Sequence, residues 1–300
     1  MKKNLIKILE ARNNKNFKIE PVYKSGSNYE SLISFLKKQK YISNKKIFDI
    51  IKKTFISNKP IGNIMLDMKN EPVGFLGTIY SSRVLLNKET LQCCLHTWIV
   101  NEKYRLNAYK LLTPVINKNI FIFTFSPISQ LVGLYKKLGF ENKQLFTKIN
   151  FILPIINLFR DTKINLDNIT TNYYDSLSLD DQKIFNQHNK QGLIFSFFKK
   201  KSNSTEYLFI ISKKSYKKFL PCLEILYISN KEIYRIDYKI VNNFFLKKYG
   251  VLLVIEYILS EKDVSKVNKN LFTKIRKRDV CFLNKPKNYN FDCLYSELII

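Results

Sequence analysis

Trp98-Ile99-Val100-Asn101-Glu102-Lys103-Tyr104-Arg105 opens the stretch whose reading decides the fold. An apolar run through Leu111 and Leu112 follows, then Asn119-Ile120-Phe121-Ile122-Phe123-Thr124-Phe125-Ser126, then Leu134-Tyr135-Lys136-Lys137-Leu138-Gly139-Phe140. Thr90 to Val100 alternates as a strand does, with Cys94, His96 and Trp98 on one face and Leu95, Thr97 and Ile99 on the other. Ile120 to Phe125 is nearly all apolar, β-branched or aromatic, as a strand buried on both faces must be. Leu131, Leu134, Tyr135 and Leu138 keep helical spacing, and Gly139 suits the left-handed residue that ends a helix, with Phe140 packing back. The stretch therefore predicts strand, turn, helix, strand, helix, turn.

That order resembles the centre of the GNAT acyltransferase superfamily. The likeness rests on Val100 followed five residues later by Arg105, on the strand from Ile120 to Phe125, and on Leu134-Tyr135-x-x-Leu138-Gly139-Phe140. It implies a GNAT-like mixed α/β (α+β) sheet flanked by helices. It further implies acyl transfer from acetyl-CoA or another acyl-CoA to an acceptor, usually an amine. The superfamily's phosphate turn reads Arg or Gln, x, x, Gly, x, Gly or Ala. Here it is Arg105-Leu106-Asn107-Ala108-Tyr109-Lys110, so alanine replaces the first glycine and lysine the second small residue. The resemblance places Val100, Arg105, Leu106, Asn107, Ala108 and Tyr109 against the cofactor. Unpaired amides and the partial positive charge of a helix start would receive its diphosphate.

The same resemblance makes Tyr135 the general acid that protonates the leaving thiolate; a phenol of ordinary pKa about 10 carries its proton at neutral pH. Tyr135 also reads as a core residue on the buried helix stripe, and Arg105 as a solvated residue of a helix start. His96 is a candidate base or acceptor contact, or a satisfied structural histidine. His188, in Asn186-Gln187-His188-Asn189, reads as a surface residue.

Outward from this centre, Phe17 to Tyr23 reads as a first strand, and Ser27 or Asn28 as the cap of a helix to about Lys40. Ile47, Ile50, Ile51 and Phe55 make a second helical stripe. Asn63 to Asp67 and Pro72 to Tyr80 predict a hairpin, with Gly74 and Gly77 leaving room for a close neighbour; Ser81-Ser82-Arg83 follows, then a loop to Glu89. Gln144 to Leu153 is a further strand. After Pro154 the chain turns polar, which predicts two domains, 1–158 and 159–300. In the second, strands are expected at Leu193 to Phe198, Tyr207 to Ile211, Leu223 to Ile228, Val251 to Leu259 and Asp292 to Ile300. A basic turn should span Lys199 to Ser204, and a helix Lys231 to Lys248, capped by Gly250. This rhythm fits a degenerate second GNAT-like unit or a generic α/β domain.

Composition bounds the rest. Hydrophobic residues are 45% of the chain, enough for a packed core, and no apolar run is long enough to span a bilayer. The basic start, Met1 to Lys7, lacks the apolar core and cleavage site of a signal peptide. The five cysteines, Cys93, Cys94, Cys222, Cys281 and Cys293, show no zinc spacing and read as reduced thiols of a cytoplasmic protein. Neither metal ligands nor paired carboxylates, a Walker loop or a serine elbow are evident. Net charge is +27, which suits AT-rich coding, a polyanionic cofactor, or a nucleic-acid or anionic-membrane partner. A basic nucleic-acid-binding protein with a non-catalytic GNAT fold is the second reading, and its binding would weaken steeply with salt.

Overall fold

The computed structural model describes residues 17–40, 42–43, 47, 55–85, 88–116, 120–125, 127–152, 174–199, 206–259, 273–286, 289 and 291–295. The second helical stripe around Ile50, the basic turn at 200–204 and the boundary at 158/159 lie outside the described residues.

Strand β1 (Phe17–Val22) precedes helix α1 (Asn28–Lys37), and β2 (Gly62–Asp67), β3 (Pro72–Leu85) and β4 (Lys88–Val100) form an antiparallel meander. A 3₁₀ helix (Glu102–Leu112) and a single α-turn, α2 (Thr113–Ile116), lead to β5 (Phe121–Phe125), α3 (Ser129–Lys137) and β6 (Glu141–Phe151). Then come α4 (Leu179–His188), β7 (Ile194–Lys199), β8 (Tyr207–Lys217), β9 (Leu220–Ile228), α5 (Lys231–Tyr249), β10 (Leu253–Leu259) and β11 (Thr273–Leu283).

The eleven strands among the described residues belong to one sheet, in the order β1-β2-β3-β4-β5-β11-β6-β10-β9-β8-β7. The last strand of the second half therefore lies between β5 and β6 of the first. From β4 to β9 the order reads alike from both ends: β4 and β5 are parallel, as are β9 and β10, and β11 and β6 form an antiparallel pair between them.

One face of the sheet carries α1, α4 and the segment around 289–295. Ile79, Cys94, Phe121, Phe123, Val280 and Phe282 pack there with Phe209 and Leu226 of the second half. Residues from β3 and β9, far apart in strand order, meet across this face: the Arg83 guanidinium carbon lies 5.6 Å from the Tyr227 ring centre. The sheet thus curls over this core. The opposite face is covered by the 3₁₀ helix and α3 over the first half, and by α5 over the second.

Most elements fall where their periodicity puts them. Two do not. β3 continues past Tyr80 to Leu85, and Arg83 within it is a buried cation. Asp292 to Tyr295 is a turn rather than a strand: the Asp292 carboxylate accepts from the Leu294 amide and pairs with Arg83. Its apolar neighbours Phe291, Cys293, Leu294 and Tyr295 are buried as a plug. The last strand among the described residues is β11, whose alternation Lys274, Arg276, Arg278 against Ile275 does not read as a buried strand from sequence; residues 296–300 lie outside the described residues.

Candidate functional site

The site is built where β4 and β5 part. Their parallel ladder covers only Gln92–Phe121, Cys93–Ile122 and Cys94–Phe123. Among the described residues that ladder stops at Cys94, and a wedge opens between the strands beyond it. β4 bends there for a visible reason: its pairing with β3 jumps from Gly77–His96 to Leu76–Trp98, leaving Thr97 as a bulge with φ of 45°. A bulge kinks the strand and raises its twist.

The bulge also reverses the alternation beyond it. His96 and Trp98 therefore do not share a face, as the uninterrupted pattern predicts. Cys93, Leu95, Trp98 and Val100 pack on the 3₁₀-helix side, Cys94 on the other. His96 lies over Gly77, where a Cβ would fall 2.3 Å from the imidazole; its Nδ1 is 3.0 Å from the Thr97 hydroxyl. The room left by Gly77 is thus filled by a histidine ring and not by a ligand.

Tyr135 comes to the wedge from α3. Gly139, at φ 87°, ends that helix, and the Phe140 amide returns to the Tyr135 carbonyl at 3.0 Å. The tyrosine is 2% exposed, with ring centres of Trp98 and Phe140 at 5.7 and 5.0 Å. The structure therefore brings Tyr135, Trp98 and Val100 together and leaves His96 on the far face.

The turn after Val100 differs from its sequence reading. The helix starts at Glu102, three residues before Arg105, and winds as a 3₁₀ helix. In such a helix each amide bonds the carbonyl three residues earlier, so the amides of Arg105, Leu106, Asn107, Ala108 and Tyr109 face back along the helix. The Tyr104 amide already bonds the Asn101 carbonyl at 2.9 Å, which leaves those of Glu102 and Lys103 as the helix start. Asn101 makes no side-chain cap bond. Arg105 is 68% exposed and 3.6 Å from Glu102, and Leu106 is 91% exposed. Lys110 does not face this end: its ammonium lies 5.1 Å from the Phe17 ring centre. Pro114, lacking an N–H, stands at the start of the α-turn that follows. Asn63 holds the segment to β2 by donating to the Leu111 carbonyl at 2.8 Å, a contact no local pattern announces.

Two further polar groups escape a sequence reading. Arg83 donates to Asp180 through Nε and Nη2, at 3.1 and 2.6 Å, and pairs with Asp292. Burial opposes its charge, but Asp292 and Asp180 outweigh that and raise its pKa further. Beside it, Asp181 accepts from Tyr207 and Tyr227 at 2.6 and 2.7 Å. His188 is fully buried rather than on the surface. Its ring nitrogens lie 2.8 Å from the Ile184 carbonyl and 3.2 Å from that of Leu294. It shares the inward face of α4 with Asp181 and Ile184, which the polar Asn186-Gln187 beside it conceals. The five cysteines are buried free thiols. Among the described residues there is no cluster of metal-ligating side chains, and no helix is long and apolar enough to cross a membrane.

No family model matches the sequence, and no curated protein does. Solved structures are similar in fold. A GCN5-related N-acetyltransferase from Anabaena variabilis has 12% identity and a TM-score of 0.58, over 89% of this chain and 72% of that one. A second, from Kribbella flavida, has 9% identity and a TM-score of 0.58, over 90% and 71%. The N-myristoyltransferase of Saccharomyces cerevisiae, solved with myristoyl-CoA, has 10% identity and a TM-score of 0.50, over 96% and 91%. The chain has the GNAT fold, and the likeness extends over both halves.

Proposed function

We propose that the chain transfers an acyl group from acyl-CoA to an amine, using the wedge between β4 and β5. The observation that carries this reading is the convergence of three features at one place: the bulged end of β4 beyond its ladder with β5, the uncapped helix start beyond Val100, and the Tyr135 ring beside Trp98. The thioester lies along Leu95 to Val100, beyond the end of the β4–β5 ladder. The diphosphate lies at Glu102 and Lys103, with Arg105 supplying charge from the same turn; contacts of Leu106 to Tyr109 with the cofactor are of van der Waals type. The neutral amine attacks the thioester carbonyl, a C–N bond forms, and the C–S bond breaks. The departing sulfur takes the Tyr135 hydroxyl proton, and the proton that the nitrogen releases returns through water to the Tyr135 phenolate. His96, turned to the opposite face over Gly77, acts through the shape of β4 rather than in the chemistry.

We also infer that residues 159–300 form a second unit of the same build that has exchanged its last strand with the first. The mirrored strand order supports this.

Calorimetry of the intact chain with acetyl-CoA tests the proposal. One binding event is expected, weakened several-fold in Arg105→Ala, as loss of one solvated charge implies at roughly 0.3–1 kcal/mol. No heat and no thermal shift at millimolar ligand would leave a GNAT fold without its cofactor. The 3₁₀ winding, which commits the amides from Arg105 onward, would then account for the loss.

A further inference from the structure

The hairpin of β8 and β9 outruns the sheet. On one side β7 reaches only to Ser212, and on the other β10 begins opposite Cys222. Past both points the hairpin runs on through Tyr216, Lys217, Leu220 and Pro221, closed by Lys218 and Phe219, with the Pro221 carbonyl accepting from the Leu252 amide at 3.0 Å.

The tip breaks the ordinary rules for such a turn. Two-residue hairpin turns favour Asn and Gly, which tolerate positive φ; here Lys218 has φ of 57° and the next residue is phenylalanine. Phe219 is 86% exposed and Tyr216 65%. From Lys213 to Phe219 there are four lysines and no acid. Lys217 reaches back to Glu224 at 3.1 Å and Lys214 to the Tyr249 carbonyl at 3.3 Å, but both stay at the surface. A strained turn that shows an aromatic ring to water gains nothing for the fold, and departures of this kind mark function.

The rest of that end of the sheet is of the same character. β5 and β6 both run antiparallel to β11, so they point the same way, as does β4. β9 parallels β10, which opposes β6, so β9 begins where β6 ends. The hairpin tip, Val100 and Phe151 therefore lie at one end of the sheet, the end toward which the β4–β5 wedge opens. Phe151 is 47% exposed there, and Lys274 is an exposed cation one residue along from the Asn150–Thr273 pair.

We propose that this end of the molecule docks on an anionic membrane surface. Phe219 and Tyr216 enter the boundary between headgroups and acyl chains, and Lys214, Lys217, Lys218 and Lys274 meet the anionic headgroups. The shape selects a bilayer over a nucleic acid. Unpaired bases stack on broad aromatic faces along a groove, whereas a single phenyl at the apex of a narrow ribbon penetrates. Docking would bring the wedge to the membrane surface, but the inference stands on the hairpin and does not need the proposed chemistry.

Vesicle flotation of the intact chain tests it, using phosphatidylcholine alone and phosphatidylcholine with about 30% phosphatidylglycerol. Binding to the anionic vesicles only, weakened by salt, is expected. The double variant Tyr216→Ser, Phe219→Ser should bind at least about tenfold more weakly at an unchanged melting temperature, since it removes the inserted rings and no core contact. Lys218→Gln, which also relieves no packing, should weaken binding to a lesser degree and serves if the double variant melts early. Absence of binding to anionic vesicles at low salt would overturn the proposal, as would variants that float like the parent. So would hairpin variants that lose affinity for a single-stranded oligonucleotide while still binding vesicles.

Discussion

The molecule contains two wedges, and only one is open. β4 with β5 and β9 with β10 are both short parallel pairs, over three and four residues. In both, the longer strand breaks register past the pairing, at Thr97 in β4 and at Leu226 in β9. A helix follows each. In the first wedge Asn101 leaves the helix start uncapped. In the second, the Asn230 side chain accepts from the amides of Glu232 and Ile233, both at 3.1 Å, and so occupies its own helix start. The bulged Leu226 carbonyl accepts from the Cys293 amide at 3.0 Å, so the chain's own C-terminal segment covers β9. The same backbone device thus becomes a site or a scaffold according to what fills it. A helix start offers its amides to an anion only if no side chain has taken them.

Four measurements press on this contrast. The largest effect is expected at the clamp that holds the plug over the second half. Arg83→Ala leaves Asp180 and Asp292 buried without their cation, and breaking a buried pair costs about 3–5 kcal/mol. Chemical denaturation should show a loss of that size; a change under about 1 kcal/mol would mean that the plug is held by packing alone. Next is Tyr135→Phe in the open wedge. It should lower kcat by about 100-fold with little change in cofactor affinity, as loss of a general acid does. Equal turnover would make Tyr135 a packing residue against Trp98 and Phe140.

Smaller, but more direct, is a paired comparison of the two helix starts. Asn230→Ala removes a cap and should cost about 1 kcal/mol. Asn101→Ala removes a side chain that makes no cap bond, and its melting temperature should stay at the parent's value. Equal losses would show that the two starts are equivalent in solution. The smallest effect concerns pH. Burial lowers the His188 pKa below its ordinary 6.5, although the Ile184 and Leu294 carbonyls oppose this. The unfolded chain therefore binds the proton more readily. Stability from this group is complete above about pH 6.5 and is lost as pH falls toward the lowered folded-state value. Denaturation midpoints should decline over that range, and His188→Gln should flatten the decline.

The readability of the chain follows the range of the interactions. Gly139 and Phe140 end α3, and Gly250 at φ 63° ends α5. Each involves neighbours within a few residues, and each was legible as a pattern. The strand from Phe121 to Phe125 was equally plain, because a strand buried on both faces has no room for polar residues. Cys93 and Cys94 do point to opposite faces. The pattern failed at Thr97, where one extra residue inverts every face beyond it, and a bulge at a threonine carries no compositional mark. It failed again at the 3₁₀ helix, where side chains that fit an α-helix wind more tightly ahead of Pro114.

By itself, then, the sequence determined the succession of elements and the burial of their apolar faces. Those follow from local sterics and from the period of hydrophobic residues. Only the tertiary structure decided that β11 enters between β5 and β6, that Arg83 meets Asp180 and Asp292, and that His96 turns from the wedge while Trp98 faces it. The partners of Arg83 lie 97 and 209 residues away along the chain. Contacts at such separation leave no period in the sequence; they exist because a curled sheet brings β3 and β9 to one core, where a buried cation must find its anions.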